Sequence, residues 1–170
     1  MERTLATPDG TFTIVAGPDA VLASGWIDDA ANLFALIHPS LRPESRGAGS
    51  AEVLDQACEA AEAYYSGDFA APAQISVRQH SGPYRSHAWN VLRKVEVGDI
   101  VSYREYAALT GRPAAVRAAA NACASNAAAL FVPCHRVLRS DGSLGGFRYG
   151  LHIKKSLLDR ETESEPPAAR

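Results

Sequence analysis

Short alternating apolar runs open this chain, and helical spacing takes over further along. Residues 3–7, 11–16 and 20–27 are β-prone stretches that predict a three-stranded meander. Pro8-Asp9-Gly10 and Gly17-Pro18-Asp19 punctuate them as turns, because Pro presets one backbone angle and Gly supplies a positive one. Residues 39–50 are rich in Pro, Gly, Ser and Arg and read as a surface loop. Leu54, Ala57, Cys58, Ala61 and Tyr65 then recur at helical spacing until Gly67 stops the pattern. Cys58 sits on that apolar stripe, where packing rather than chemistry is expected of it.

The second half reads as mostly helical. Trp89, Leu92 and Val95 share one apolar face that Val97-Gly98-Asp99 ends. Ser102-Tyr103-Arg104-Glu105 fits a capping box, predicting a helix from Tyr103 to Leu109. Gly111 closes it and Pro113 opens another through about Ala124, so two short helices flank Thr110-Gly111-Arg112 as a helix-turn-helix. The second is built almost wholly of small residues (Ala114, Ala115, Ala118, Ala119, Ala120, Ala122), and its one long charged side chain is Arg117. Such a helix either lies in a groove with its arginine protruding or packs tightly among neighbours; the pattern leaves both open. A last helix, about 151–160, turns Ile153, Leu157 and Leu158 inward with Glu161 at its end, and the stretch after it, with Pro166-Pro167, reads as a disordered tail.

A chain of 170 residues, 46% hydrophobic and 21% charged, can bury one good core or two small ones packed together. No apolar run approaches a membrane span, and the acidic start, Met1-Glu2, argues against a usual signal peptide. Cys58, Cys123 and Cys134 are too few for a disulfide framework or a four-cysteine zinc site, so no metal and a reducing cytoplasm are expected. Net charge is −2, but it is segregated: residues 1–77 carry a balance of −8 and residues 78–160 one of +8. A basic half beside an acidic one points to a polyanion partner on one side of the molecule.

The chemistry concentrates at Pro133-Cys134-His135-Arg136-Val137, directly after the apolar run 128–132. A free thiol is only a few per cent thiolate at neutral pH, roughly, and an adjacent imidazole with nearby arginines is expected to raise that fraction. Pro133 fixes one backbone angle and so limits where the sulfur points. The competing reading is a buried structural cysteine followed by a solvated His-Arg pair.

Taken with Ser102-Tyr103, Arg117, Asn126, Gly145-Gly146-Phe147, Lys154 and Leu157-Leu158 in this order, the motif resembles the O6-alkylguanine-DNA alkyltransferase family. The likeness is strong over residues 81–161 and weak over the first 77. It implies an α/β ribonuclease H-like N-terminal domain (1–77), a mainly α C-terminal winged helix-turn-helix DNA-binding domain (78–163) and a disordered tail (164–170). It implies Cys134 as alkyl acceptor, His135 as its base through a water, Glu161 holding the imidazole, and Tyr103 beside the flipped nucleotide, donating to the guanine. Arg117 would enter the duplex, with Ala118, Asn121 and Arg104 also at the DNA. Asn126 would brace the active-site turn, the carbonyls of Cys134 and Val137 would read the guanine amino group, and Phe147, Arg148 and Tyr149 would complete the pocket. The partner implied is double-stranded DNA carrying O6-alkylguanine, mainly O6-methylguanine with O4-methylthymine left open as a second lesion, met without cofactor and away from any membrane by a monomer whose cooperative assembly on DNA is left open.

Four positions depart from the family pattern. Glu96 stands where proline is common, Ala127 rather than proline follows Asn126, and Arg148 and Tyr149 replace smaller residues over the pocket, which predicts methyl accepted far better than benzyl. Two other readings compete. A thiol hydrolase using Cys134 and His135 would turn over many times, although adjacent residues rarely point at one another. A non-catalytic winged-helix DNA-binding protein would keep its function without Cys134, yet its second helix offers few base-reading side chains beyond Asn121 and Arg117.

Overall fold

The computed structural model describes residues 1–45 and 47–163. The expected tail, 164–170, lies outside the described residues. Strands β1 (Glu2–Thr7), β2 (Gly10–Ala16) and β3 (Val21–Gly25) form an antiparallel sheet in that order, with Thr7 paired to Gly10 across the first turn. The meander is therefore as the sequence predicts, and a register shift at Val15/Ala16 bends β2.

Side-chain alternation along β2 divides the core. Phe12, Ile14 and Ala16 pack with Leu54, Ala57 and Ala61 of α2 (Ala51–Tyr65), whereas Val15 packs with Leu22, Leu33 and Ile37. Leu33 belongs to α1 (Ala30–Leu36), which covers the second face of the sheet. The sequence reading left this helix out. Its marker is Asp29, whose side chain caps the backbone N–H of Ala31 at 2.9 Å.

In the second half, α3 (Pro83–Leu92) ends earlier than expected. Val95 lies beyond it in a loop, buried all the same, because Arg93 already caps the helix. α4 (Tyr103–Leu109) follows the two-residue strand β4 (Val101–Ser102) and has both bonds of the capping box, Glu105 N–H to Ser102 Oγ at 3.1 Å and Ser102 N–H to Glu105 Oε2 at 2.6 Å. α5 (Val116–Ala124) begins three residues later than Pro113 suggests. A turn closed by Ala115 N–H to Arg112 O at 2.8 Å places Pro113 inside it, a position that suits proline's fixed angle equally well. After a single 3-10 turn at Cys134–Arg136 and strand β5 (Val137–Leu138), which pairs in parallel with β4, helix α6 (Leu151–Glu163) is the last element of the described residues.

One apolar cluster runs through both halves, from Phe12, Leu54 and Tyr64 to Trp89, Tyr106, Ala122, Phe131 and Leu157. α5 is neither wholly buried nor free: Ala119 and Ala122 face this core while Arg117, Asn121 and Ala124 are exposed. Small side chains let it sit close to α3, where Trp89 Nε1 donates to Ala122 O at 2.8 Å. Among the described residues, no helix is long and apolar enough to cross a membrane.

Candidate active site

The segment from Asn126 to Cys134 is held from both halves of the chain. Ser24 on β3 donates its hydroxyl to Ala129 O at 2.7 Å and its N–H to Ala127 O at 2.8 Å, clamping the turn to the sheet. Inside the turn Leu130 takes φ +75°, a left-handed conformation that costs a non-glycine residue on the order of 1–2 kcal/mol. Asn126 helps to offset that strain. Its Oδ1 accepts from Ala128 N–H at 3.0 Å and Gln79 Nε2 at 2.9 Å, and its Nδ2 donates to Val132 O at 2.9 Å and Cys134 Sγ at 3.3 Å. Pro133 then leads into the 3-10 turn that carries Cys134, His135 and Arg136.

Adjacent residues on that turn point to different places. Cys134, partly buried, lines a cavity of about 470 Å³ together with Tyr103, Asn121, Cys123, Asn126, Phe147, Arg148 and Tyr149. That volume lies within the ~300–1,000 Å³ usual for small-molecule sites. His135 and Arg136 point inward to Glu161 of α6. Its carboxylate accepts from His135 Nε2 at 2.7 Å, Arg136 Nε at 2.8 Å, Arg136 Nη2 at 3.0 Å and Tyr64 Oη at 3.0 Å. Burial alone would raise the Glu161 pKa, but the bonds and charges of His135 and Arg136 outweigh it and hold the carboxyl at about 2.

These bonds decide the state of the imidazole. Glu161 is ionised and can only accept, so Nε2 carries the proton. Burial holds the His135 pKa below its ordinary value against the pull of Glu161, with Arg136 and Lys154 adding to the depression. The ring is therefore neutral at pH 7 with a bare Nδ1, a buried atom that makes no hydrogen bond to the protein among the described residues. It is an oriented base.

The thiol departs from expectation. Burial raises the Cys134 pKa, and the Asn126 bond and the charges of Lys154 and Arg148 offset this only in part. Arg136, expected to favour the thiolate, is instead turned away and neutralised by Glu161. The resting sulfur is a thiol that needs a base.

Burial pushes Tyr103 up to about 12, with Cys123 and Cys134 adding, so its hydroxyl stays a donor. Gly145, at φ +71°, lets the loop over the cavity pass close by: a Cβ there would lie 3.1 Å from Tyr103 Oη. Tyr149 packs edge-on against Trp26 and Phe147 and lies so tightly on Gly25 that any Cβ at that position would overlap its ring. Arg148 Nη2 donates to Ala124 O at 2.6 Å, tying the same loop to the end of α5.

The structure thus brings Cys134, Tyr103, Asn121, Asn126, Phe147, Arg148 and Tyr149 to one cavity, with His135 and Glu161 directly behind it. Val137 does not line it; its carbonyl accepts from the buried Lys154 Nζ at 2.7 Å. Arg117 and Arg104 are exposed on α5 and α4, and Ala118 and Asn121 edge a shallow depression beside Tyr84 and Arg85. Sequence reading missed Tyr64, Gln79 and the inward role of Arg136. Only Arg136 carried a signal, its place inside the motif. Cys58, Cys123 and Cys134 are all free thiols.

Residues 83–163 match the family described as 6-O-methylguanine DNA methyltransferase, DNA binding domain. The bifunctional transcriptional activator/DNA repair enzyme Ada of Escherichia coli is 48% identical over 82 residues, a stretch that makes up 48% of this chain and only 23% of that relative. A methylated-DNA–protein-cysteine methyltransferase of Salmonella typhimurium is 29% identical over 95% of both chains. The crystal structure of the Mycobacterium tuberculosis O6-methylguanine methyltransferase superposes with a TM-score of 0.77 at 25% identity, covering 98% of this chain and 96% of that one. Residues 83–163 of this mixed α/β chain are therefore similar to the DNA-binding domain of 6-O-methylguanine DNA methyltransferases.

Proposed function

We propose that this protein repairs DNA by direct reversal, taking the alkyl group of O6-alkylguanine, chiefly O6-methylguanine, onto Cys134 in one irreversible step. The observation that carries this reading is the buried, unpartnered Nδ1 of a neutral His135, fixed by Glu161, beside a cysteine that opens onto a base-sized cavity. The thiol proton passes to Nδ1 through a water, and sulfur attacks the alkyl carbon as the bond to O6 breaks. Tyr103 supplies a proton to the departing guanine. The product is a thioether, which offers water and other thiols no labile bond, so each molecule acts once.

An O6-alkyl group lies within the base stack, so the nucleotide must be extruded, at a cost of a few kcal/mol, roughly. In this reading the first 77 residues are a ribonuclease H-like domain and residues 78–163 a winged helix-turn-helix. Its second helix, α5, lies in the minor groove with Arg117 filling the gap. Ala118, Asn121 and Arg104 contact the DNA beside it, while Asn126, Phe147, Arg148 and Tyr149 shape the pocket. The exposed Arg104 and Arg117 and the balance of +8 over residues 78–160 support a duplex partner. The protein works as a monomer, without cofactor, in a reducing cytoplasm.

Titrating the protein with a labelled O6-methylguanine duplex tests the reading. Transfer should stop at one methyl group per molecule, and Cys134→Ala should abolish it while leaving DNA binding intact. Repeated turnover would favour a thiol hydrolase, and unchanged function in Cys134→Ala a non-catalytic DNA-binding protein.

A further inference from the structure

The connector between the two halves carries a side chain that this chemistry does not yet use. Gln79 Nε2 donates to Asn126 Oδ1 at 2.9 Å, and Gln79 Oε1 accepts from Ala127 N–H at 2.8 Å. The Ala128 N–H reaches the same Asn126 Oδ1 at 3.0 Å. A primary amide has an acceptor at one end and donors at the other. Two donors converging on Oδ1 therefore force Nδ2 to the opposite side, where it meets Val132 O at 2.9 Å and Cys134 Sγ at 3.3 Å. The Ala128 donor is local to the turn, whereas Gln79 arrives from 47 residues away and grips Ala127 as well.

We propose that Gln79 is a positioning residue for Cys134, locking the Asn126 amide with its N–H aimed at the sulfur; the inference rests on Cys134 being the reactive group. An anionic sulfur is a stronger acceptor than a thiol, so a donor held at this place favours the form that attacks. Lys154 and Arg148 also favour the thiolate, while Tyr103, Cys123 and Tyr149 line the same cavity. None of these five hydrogen-bonds to Gln79, so its effect is separable from theirs.

Two substitutions distinguish orientation from mere bracing. Gln79→Met removes both bonds at similar size. Gln79→Glu keeps an acceptor for Ala127 N–H but sets a carboxylate oxygen against Asn126 Oδ1, which favours the amide turned round with its oxygen toward the sulfur. A bracing role makes Gln79→Glu the milder change, whereas the positioning role makes it the more severe.

The test is the pH profile of Cys134 alkylation by iodoacetamide in the full chain, read by peptide mass mapping and run beside thermal melting. Gln79→Met is expected to move the profile to higher pH and slow alkylation at neutral pH about tenfold, the scale of one lost hydrogen bond to a charged group. Gln79→Glu should slow it further. Combined with Asn126→Ala, Gln79→Met should add nothing, because it acts only through that amide. A wild-type profile in either variant with melting intact, or additive losses in the double variant, overturns the proposal. If Gln79→Met does not fold, Gln79→Glu, which retains the Ala127 bond, decides on the same readout. Iodoacetamide reports the thiol without DNA, so this result stands apart from whether methyl transfer occurs.

Discussion

Tyr64 and His135 share one acceptor: Glu161 Oε1 receives Tyr64 Oη at 3.0 Å and His135 Nε2 at 2.7 Å. A residue of α2 in the first half thus helps to fix the carboxylate that orients the base. Tyr64→Phe leaves Glu161 satisfied by His135 and Arg136, so it should cost only about 1 kcal/mol of stability and slow methyl transfer a few-fold. Denaturant unfolding and single-turnover rates check this, and a loss of several kcal/mol would show that Tyr64 carries more than one bond.

Glu161→Gln is a different matter. It leaves the buried Arg136 without its counter-charge, a change that typically costs about 3–5 kcal/mol. It also gives the imidazole a partner that can donate, so the tautomer with a bare Nδ1 is no longer enforced. Transfer should fall far more than in Tyr64→Phe. Near-wild-type rates in a folded Glu161→Gln protein would contradict the assignment of His135 as an oriented base.

Stability should fall on both sides of neutrality. Glu161, held at about 2 against an ordinary 4.5, contributes stability that is complete above pH 4.5 and is lost as pH drops toward 2, up to about 3 kcal/mol. His135 acts in the same direction from higher pH: its folded pKa is lowered from 6.5, so the unfolded chain binds the proton first as pH falls. Cys134 acts oppositely, since its raised pKa lets the unfolded chain release a proton first above pH 9. Melting temperatures from pH 3 to 10 should peak between about 6.5 and 9; a maximum below pH 5 would contradict these shifts.

Arg117 is exposed at the start of α5 and is not among the residues that line the cavity. Arg117→Ala should therefore slow repair in duplex DNA more than reaction with free O6-methylguanine, because only the duplex requires extrusion. Equal losses would remove its role in the helix. Duplex affinity should also fall steeply with salt as phosphate contacts release counterions.

Tyr149 is wedged among Trp26, Phe147 and Gly25, and Arg148 is tied to Ala124, so neither wall of the cavity yields easily. Methyl should transfer at least about tenfold faster than benzyl, the scale that ~1–3 kcal/mol of pocket misfit produces. Equal rates on the two lesions would refute it.

Local signals were legible in the sequence, and distant partnerships were not. The capping box at Ser102 and the stripe from Leu54 to Tyr65 fix helices through neighbours three and four residues apart, and both helices stand where expected. Pro113 misled because proline suits a turn as well as a helix start. Cys134 and His135 were readable within one short segment, and Asn126 and Glu161 through the family resemblance. Tyr64 meets Glu161 across 97 residues and Gln79 meets Asn126 across 47, separations at which no periodicity carries information. The thiol was misjudged for the same reason: adjacency to Arg136 in sequence says nothing of the carboxylate that claims that guanidinium in space.

Intact mass after incubation with an O6-methylguanine duplex, followed by peptide mapping, tests the central claim most directly. The protein should gain one CH2, located on Cys134, as the DNA regains guanine, and should gain nothing more with excess substrate. Restored DNA alongside an unmodified Cys134 would contradict the account outright.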